Sequence, residues 1–196
     1  LAELFGPRLA ALTVLLTLAY FAHIMTFYFI LKWAPKIVAD FGFPASTAGS
    51  VLVWANIGGF AGSVVLSVLT QRFGVRGLTI MALAGAAVFV GLFGRVTPDL
   101  SVLTLTAAAA GFFTNAGVVG LYALFAQSFP TAVRASGTGF VIGIGRGGAA
   151  LSPIVAGYLF SSGAGLPVVA LVMAAGSIVA ILALLALRYE EGREEL

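Results

Sequence analysis

The sequence predicts an all-α membrane protein with six transmembrane helices. Of its 196 residues, 61% are hydrophobic and only 9% are charged, whereas a soluble domain carries about 25% charged residues. The charged residues divide the chain into six apolar stretches, and about 20 residues are needed to cross the core of a bilayer. Short segments connect these stretches. We therefore expect a single six-helix domain surrounded by the lipid bilayer.

The six expected helices follow one another along the chain. They cover residues 9–34, 46–70, 77–94, 100–127, 135–160 and 168–187. Pro35 lies close to the expected end of the first helix. Pro153 lies inside the fifth, where a proline removes a backbone donor and clashes with the preceding turn. We therefore expect the fifth helix to be kinked at Pro153.

The basic residues predict the orientation of the chain. One side of the expected bundle collects Arg8, Arg72, Arg76, Arg134, Arg188 and Arg193. The other side has Lys32, Lys36 and Arg95. Because cytoplasmic loops carry the excess of Lys and Arg, we expect both termini in the cytoplasm. The sequence begins with Leu1 and shows no cleavable signal pattern, so we expect a fragment or a processed chain.

Arg146 is a charged residue within the fifth apolar stretch. A charge at a helix centre in the bilayer costs about 2.5–3.5 kcal/mol on the lowest scales, so it marks a functional site by default. Gly139 and Gly143 share a helix stripe with Arg146, and small residues allow neighbouring helices to approach closely. A guanidinium matches a carboxylate with two hydrogen bonds. Arg146 could bind an organic anion, or it could be a structural arginine bonded to backbone carbonyls.

His23 lies midway along the first expected helix, with Tyr20 and Phe27 on the same face. A histidine can exchange a proton near neutral pH, which suits proton coupling. The alternative is a neutral histidine that donates to a neighbouring helix. In the fourth helix, Asn115 and Tyr122 belong to a stripe that otherwise holds mostly small residues. These two side chains could face a cavity or could simply pack between helices.

The sequence argues against an enzyme. An intramembrane serine protease of six helices needs a histidine on the last helix and a Gly-x-Ser-Gly nucleophile, whereas Ser152 precedes Pro153. A zinc site needs several ligands, and the chain has one histidine and no cysteine. No phosphate-binding loop is present, because Gly143–Gly148 follows no strand and contains no Lys-Ser or Lys-Thr pair. We expect no cofactor, no metal and no nucleic-acid partner.

The loop between the second and third helices resembles a cytoplasmic motif of the major facilitator superfamily, Gly-x-Leu-x-Asp-Arg-x-Gly-Arg-Arg. The matching positions are Arg72, Gly74 and Arg76, and the departures are Ser67, Gln71 and Val75. Such departures are usual in the second copy of the motif. The chain therefore resembles the C-terminal half of such a transporter, helices 7 to 12. This resemblance implies a fold that is one half of a major facilitator superfamily fold.

Three further segments resemble the aromatic acid:proton symporters within that superfamily. They are residues 130–139, with Pro-Thr-x-x-Arg-Ala-x-Gly-x-Gly, residues 143–146, with Gly-x-Gly-Arg, and the proline at 153. Lys32 departs from the family pattern and predicts an altered extracellular mouth. The resemblance implies proton-coupled uptake of small aromatic carboxylates across a bacterial inner membrane. It also implies that Arg146 and His23 matter for transport.

The expected function is that of a transporter half, which rocks against an N-terminal six-helix half around a site at the membrane midplane. Arg146 would bind the carboxylate and His23 would carry the proton. The expected lining of the aromatic part of the site is Tyr20, Phe27, Asn115 and Tyr122. The expected cytoplasmic gating motif is Arg72, Gly74, Arg76 and Arg134. Two alternatives remain: transport of another metabolite, such as a dicarboxylate, a sugar or a drug, and an inactive membrane fragment that only folds or dimerises.

Overall fold

The structure is a computed structural model that describes residues 2–187, so Arg188 and Arg193 lie outside the described residues. Within this range all regular secondary structure is helical, and six segments are long and apolar enough to cross a membrane. The predicted fold class is confirmed. A short 3-10 helix, Ala2–Phe5, precedes the α-helices. These are α1 (Ala10–Asp40), α2 (Ala45–Leu69), α3 (Val75–Phe93), α4 (Leu100–Ser128), α5 (Arg134–Gly145), α6 (Gly147–Ser161) and α7 (Leu166–Ala186).

Helix α1 is the central element, since it packs against α2, α4, α5, α6 and α7. Its buried side chains contribute to two apolar clusters at opposite ends of the bundle. Leu16 and Tyr20 belong to one cluster, and Phe29 and Val38 belong to the other. A residue on α1 can therefore contact almost any other helix, which makes this helix a suitable framework for a site between helices.

The first helix is longer than the sequence predicted. It continues through Pro35 to Asp40, six residues beyond the expected end at residue 34. The added turn buries Ile37 and Val38 in the same apolar cluster as Phe29. The exposed fraction is 4% for Ile37 and 0% for Val38. Burial of these side chains offsets the backbone donor that Pro35 lacks.

Helices α2 and α4 pack along a seam of small residues. A Cβ atom added to Gly58 or Gly62 of α2 would overlap the backbone of α4, at Ala108 and Phe112 respectively. A Cβ atom added to Gly111 of α4 would likewise overlap the backbone of α2. The close packing expected from the small residues of the fourth helix is therefore present, because only hydrogen at these positions lets the two backbones touch.

The fifth span breaks at Arg146 and not at Pro153, which lies inside α6. The helix continues through Pro153, so a kink at this proline stays a prediction. Gly145 and Gly147 flank Arg146, and glycine is among the weakest helix formers, which favours a break at this point. A Cβ atom on Gly145 would overlap the ring of Tyr20, so the break lies where this span packs against α1.

Candidate functional site

Three of the residues expected to form the site meet in the structure: Tyr20, Tyr122 and Arg146. The hydroxyl oxygens of Tyr20 and Tyr122 lie 2.8 Å apart, and their ring centroids lie 5.6 Å apart. The Arg146 side chain lies close to both hydroxyls. The three residues come from α1, from α4 and from the break between α5 and α6. We call them the tyrosine–arginine cluster.

Packing fixes the position of the Tyr20 ring. Only 1% of this residue is exposed. The ring stands edge-on to Phe125 at 5.5 Å, and its other contacts include the backbone at Gly145. Edge-to-face contacts of this kind are favourable for aromatic rings. The Tyr20 hydroxyl is therefore held at a defined position beside the helix break, while the half-buried Tyr122 closes the pair.

Arg146 is exposed on the surface of the six-helix bundle. It lies about 18 Å along the span that begins at residue 134, at 1.5 Å per residue, and thus near the middle of the span. Within residues 2–187 the acidic side chains are Glu3, Asp40 and Asp99, all at helix ends. The groups facing the guanidinium are therefore uncharged hydroxyls, and its positive charge is available to an anion.

His23 is fully buried and lies outside the tyrosine–arginine cluster. Its Nε2 is 2.9 Å from the Thr114 carbonyl oxygen, and its Nδ1 is 2.9 Å from the Ser177 hydroxyl. Because a carbonyl can only accept, Nε2 carries the hydrogen and Nδ1 accepts from Ser177 in the neutral ring. The imidazole thereby joins α1 to α4 and α7.

Asn115 and Phe27 are also placed apart from the cluster. The side-chain nitrogen of Asn115 donates to the Gly111 carbonyl at 3.1 Å, and the amide packs over Gly59 on α2. Phe27 is half-buried, with its ring edge-on to Tyr28 at 5.3 Å. Both residues therefore contribute to helix packing in this structure, and their expected part in substrate binding stays a prediction.

Sequence reasoning missed Phe125, which contacts the rings of both tyrosines in the cluster. Its spacing of three residues from Tyr122 on one helix face was the available signal. It also missed Ser177, the partner of His23. Ser177 is the one polar residue of α7, and an isolated hydroxyl in an apolar span usually finds a partner on another helix.

The expected gating motif lies at the end of the bundle that holds the α2–α3 loop. A terminal nitrogen of Arg76 donates to the carbonyls of Leu184 and Leu187, at 2.9 and 3.2 Å. It therefore binds the C-terminal end of α7, where a positive charge is favoured by the helix dipole. Arg72 is exposed, and Gly74 is the N-cap of α3. The Nε of Arg134 donates to the Phe129 carbonyl at 3.2 Å.

Six spanning helices with an arginine exposed near mid-membrane are features of a polytopic membrane transport protein. No set of three His, Cys, Asp or Glu residues in the described chain could hold a metal ion. The sequence profile of the Major Facilitator Superfamily matches residues 16–196, and the chain belongs to this family.

Several curated relatives are aromatic acid transporters, as the sequence motifs predicted. The 3-(3-hydroxy-phenyl)propionate transporter of Escherichia coli is 30% identical over 193 residues, which cover 98% of this chain and 48% of the relative. The gallate transporter of Pseudomonas putida is 29% identical, and the match covers 94% of this chain and 41% of the relative. The 4-hydroxybenzoate transporter PcaK of Pseudomonas aeruginosa is 28% identical, and the match covers 83% of this chain and 36% of the relative. The chain thus spans about half the length of these relatives or less.

Proposed function

We propose that the chain is the C-terminal six-helix half of a twelve-helix transporter, corresponding to helices 7 to 12. The complete protein would take up small aromatic carboxylates together with protons by alternating access. The relatives that carry aromatic acids support this proposal, because the chain matches up to half of their length. We place the protein in the bacterial inner membrane, with both termini in the cytoplasm.

The observation that carries the proposal is the exposed Arg146 beside the hydroxyls of Tyr20 and Tyr122. The guanidinium has the planar donor geometry that binds a carboxylate through two hydrogen bonds. One hydroxyl of the pair donates to the other, which leaves the hydrogen of the accepting hydroxyl for an arriving carboxylate or phenol oxygen. The half-buried ring of Tyr122 offers a surface against which a substrate ring can pack. The cluster therefore suits an aromatic carboxylate better than a neutral sugar.

The same observation supports an N-terminal half as partner. An arginine that faces hydrocarbon is costly, by at least about 2.5–3.5 kcal/mol near the bilayer centre. Arg146 is exposed in the six-helix bundle, so a second body must cover this face or keep it in water. Transporters of this kind place the substrate site between two halves at the midplane. Phe27 and Asn115 would complete the lining of that site after movement of the halves.

Proton coupling is the part of the proposal that concerns His23. In a protonated ring Nδ1 would also donate, and the Ser177 hydroxyl can rotate to accept from it. This exchange of roles lets His23 take up a proton without losing either contact. Full burial and two hydrogen bonds favour the alternative, in which His23 only joins three helices.

The basic residues at the other end of the bundle would form the cytoplasmic gate. Arg76 connects the start of α3 to the end of α7, and Arg134 connects the start of α5 to the end of α4. Arg72 and Gly74 lie in the loop before α3. We propose that these contacts differ between the two access states.

Uptake by the full-length protein tests the proposal. Cells that express it would be supplied with labelled 4-hydroxybenzoate, benzoate, gallate or 3-(3-hydroxyphenyl)propionate, with and without a proton gradient. The proposal predicts that at least one of these acids accumulates and that a protonophore abolishes the accumulation. Accumulation of dicarboxylates, sugars or cationic drugs instead would assign the protein to another substrate class. Accumulation that survives the protonophore would contradict proton coupling.

A further inference from the structure

The seam between α2 and α4 has an apolar side and a polar side. On the apolar side lies a groove of about 140 Å³, and Val65 is among the hydrophobic residues of α2 that line it. Ser63 precedes Val65 by two residues, so their side chains point about 160° apart around the helix. Asn56 lies two turns before Ser63 and therefore shares its face of α2.

The Asn115 side chain of α4 joins the polar side of the seam. Its amide packs over Gly59 of α2, and the Ser63 hydroxyl donates to the Gly59 carbonyl oxygen at 2.9 Å. Asn56 precedes Gly59 by three residues, about one turn, and is exposed, whereas Ser63 and Asn115 are half-buried. Two amides and one hydroxyl from two helices therefore lie around Gly59.

Each of these side chains gives a hydrogen to a carbonyl of its own helix. The amide nitrogen of Asn56 donates to the Leu52 carbonyl at 2.8 Å. The amide nitrogen of Asn115 donates to the Gly111 carbonyl at 3.1 Å, and the hydrogen of Ser63 is used in the same way. No residue that the structure describes donates to the two amide oxygens, which remain able to accept. We call Asn56, Ser63 and Asn115 the acceptor face.

The tyrosine–arginine cluster has the opposite polarity. Arg146 offers donors only, and one hydroxyl hydrogen of the tyrosine pair remains to be donated. Tyr122 and Asn115 are seven residues apart on one stripe of α4, about 10.5 Å along the helix axis. Between them lies the half-buried Val118, which offers an apolar surface to a ring. A donor end and an acceptor end on either side of an apolar surface suit a ring with a carboxylate at one end and a hydroxyl at the other.

The acceptor face is also unsuited to lipid. Asn56 lies near the middle of α2, which spans Ala45–Leu69, and its exposed amide would be costly in hydrocarbon. Arg146 is likewise exposed near the middle of its span. A single site between two transporter halves would keep both groups away from lipid.

We propose that the acceptor face binds a hydroxyl substituent on the ring of the substrate, an inference that rests on the proposed transport of aromatic acids. The phenolic hydroxyl donates to the amide oxygen of Asn115, with Asn56 and Ser63 as neighbouring acceptors, while Arg146 holds the carboxylate. The acceptor face thereby makes the protein select hydroxylated aromatic acids over unsubstituted ones. Asn115 is the residue that determines this specificity.

Equilibrium dialysis of the full-length protein in detergent tests the proposal. Benzoate would be compared with 3-hydroxybenzoate and 4-hydroxybenzoate, which differ from it only by the ring hydroxyl. We expect at least one hydroxybenzoate to have a dissociation constant about fivefold lower than that of benzoate, which corresponds to a hydrogen bond of about 1 kcal/mol. Asn115→Leu and Asn56→Leu should each reduce this preference and leave the dissociation constant of benzoate unchanged.

Three further variants serve as controls. The Thr106 hydroxyl also donates to a carbonyl of its own helix, that of Val102 at 2.6 Å, but it lies about 180° around α4 from Asn115. Thr106→Val should therefore keep the preference. Arg146→Gln should weaken benzoate and the hydroxybenzoates by the same factor, because all of them carry the carboxylate. Asn115→Ala removes the amide oxygen without overlapping Gly59, so it gives the same measurement where Asn115→Leu prevents folding.

Three results would overturn the proposal. The first is an equal dissociation constant for benzoate and both hydroxybenzoates in the parent. The second is a preference that survives in the Asn115 and Asn56 variants. The third is equal weakening of benzoate and the hydroxybenzoates by these variants, which would assign the two amides to helix packing. If none of the three acids binds the parent, the proposed substrate class fails too, which distinguishes that failure from failure of the acceptor face alone.

Discussion

Replacement of His23 by leucine should destabilise the protein by an amount that follows from its two hydrogen bonds. The imidazole bonds to the Thr114 carbonyl and to the Ser177 hydroxyl, and no part of it is exposed. Hydrogen bonds between membrane helices average about 0.6 kcal/mol each and reach about 1.7 kcal/mol at most. Loss of both should therefore lower the free energy of unfolding by about 1.2 kcal/mol, and by no more than about 3.4 kcal/mol.

The assay is reversible unfolding of the full-length protein in mixed detergent micelles with increasing dodecyl sulfate. Thr26→Val is the matched control. The Thr26 hydroxyl donates a single hydrogen bond to the Met173 carbonyl at 2.6 Å, also between α1 and α7, and is equally buried. Its loss should be about half that of His23→Leu. A double-mutant cycle with Ser177→Ala should assign about 0.6 kcal/mol to the His23–Ser177 pair.

A His23→Leu variant as stable as the parent would refute this reasoning, as would a zero coupling energy with Ser177. Uptake measured on the same variants separates the two interpretations of the histidine. If His23→Leu retains the stability of the parent and loses only proton-driven accumulation, His23 carries the proton and does not hold the helices. If stability falls and the remaining folded protein still accumulates substrate with protons, the residue is structural.

Two further predictions concern glycines that let helices touch. Gly145→Ala should displace the ring of Tyr20 and weaken binding of an aromatic acid in equilibrium dialysis, whereas Gly139→Ala, where a Cβ meets no atom within 4 Å, should not. An unchanged dissociation constant for Gly145→Ala would contradict the part assigned to Tyr20. Gly111→Ala should force α2 away from α4 and cost about 1–3 kcal/mol of unfolding free energy in the detergent assay. Gly49→Ala should leave the unfolding free energy unchanged, because its added Cβ meets no atom within 4 Å. Equal stability of the Gly111 and Gly49 variants would contradict close packing of α2 against α4.

Much of the candidate site could be predicted from the sequence, because its residues are unusual for their positions in apolar helices. Arg146 was identifiable as a charge in an apolar stretch, and Tyr20 and Tyr122 as polar aromatic residues on helix stripes. Their meeting point was not predictable, because it depends on where α1, α4 and the break between α5 and α6 cross. The break lies beside Gly145, whose backbone packs against the ring of Tyr20, and periodicity along one helix does not reveal this contact.

For His23, in contrast, the sequence did not reveal the environment of the side chain. Its position in a spanning helix suggested a titratable group, and its environment depends on Ser177, which is 154 positions away in the sequence. Hydropathy locates spans but does not pair them, so burial of a polar side chain between three helices is visible only in the folded chain. The length of α1 beyond Pro35 has the same origin, since packing of Ile37 and Val38 overrides the local signal of the proline.

The central claim is that Arg146 binds the carboxylate of the substrate. Its most direct test is uptake of labelled 4-hydroxybenzoate by the full-length protein, compared among the parent, Arg146→Gln and Arg95→Gln. Arg95 is an exposed arginine in the loop before α4 and serves as the control. We predict that Arg146→Gln lowers kcat/KM at least about 30-fold at equal expression, which corresponds to about 2 kcal/mol for a truncated charge pair. Arg95→Gln should match the parent. Undiminished uptake by Arg146→Gln would contradict the account and leave Arg146 as a structural residue of the helix break.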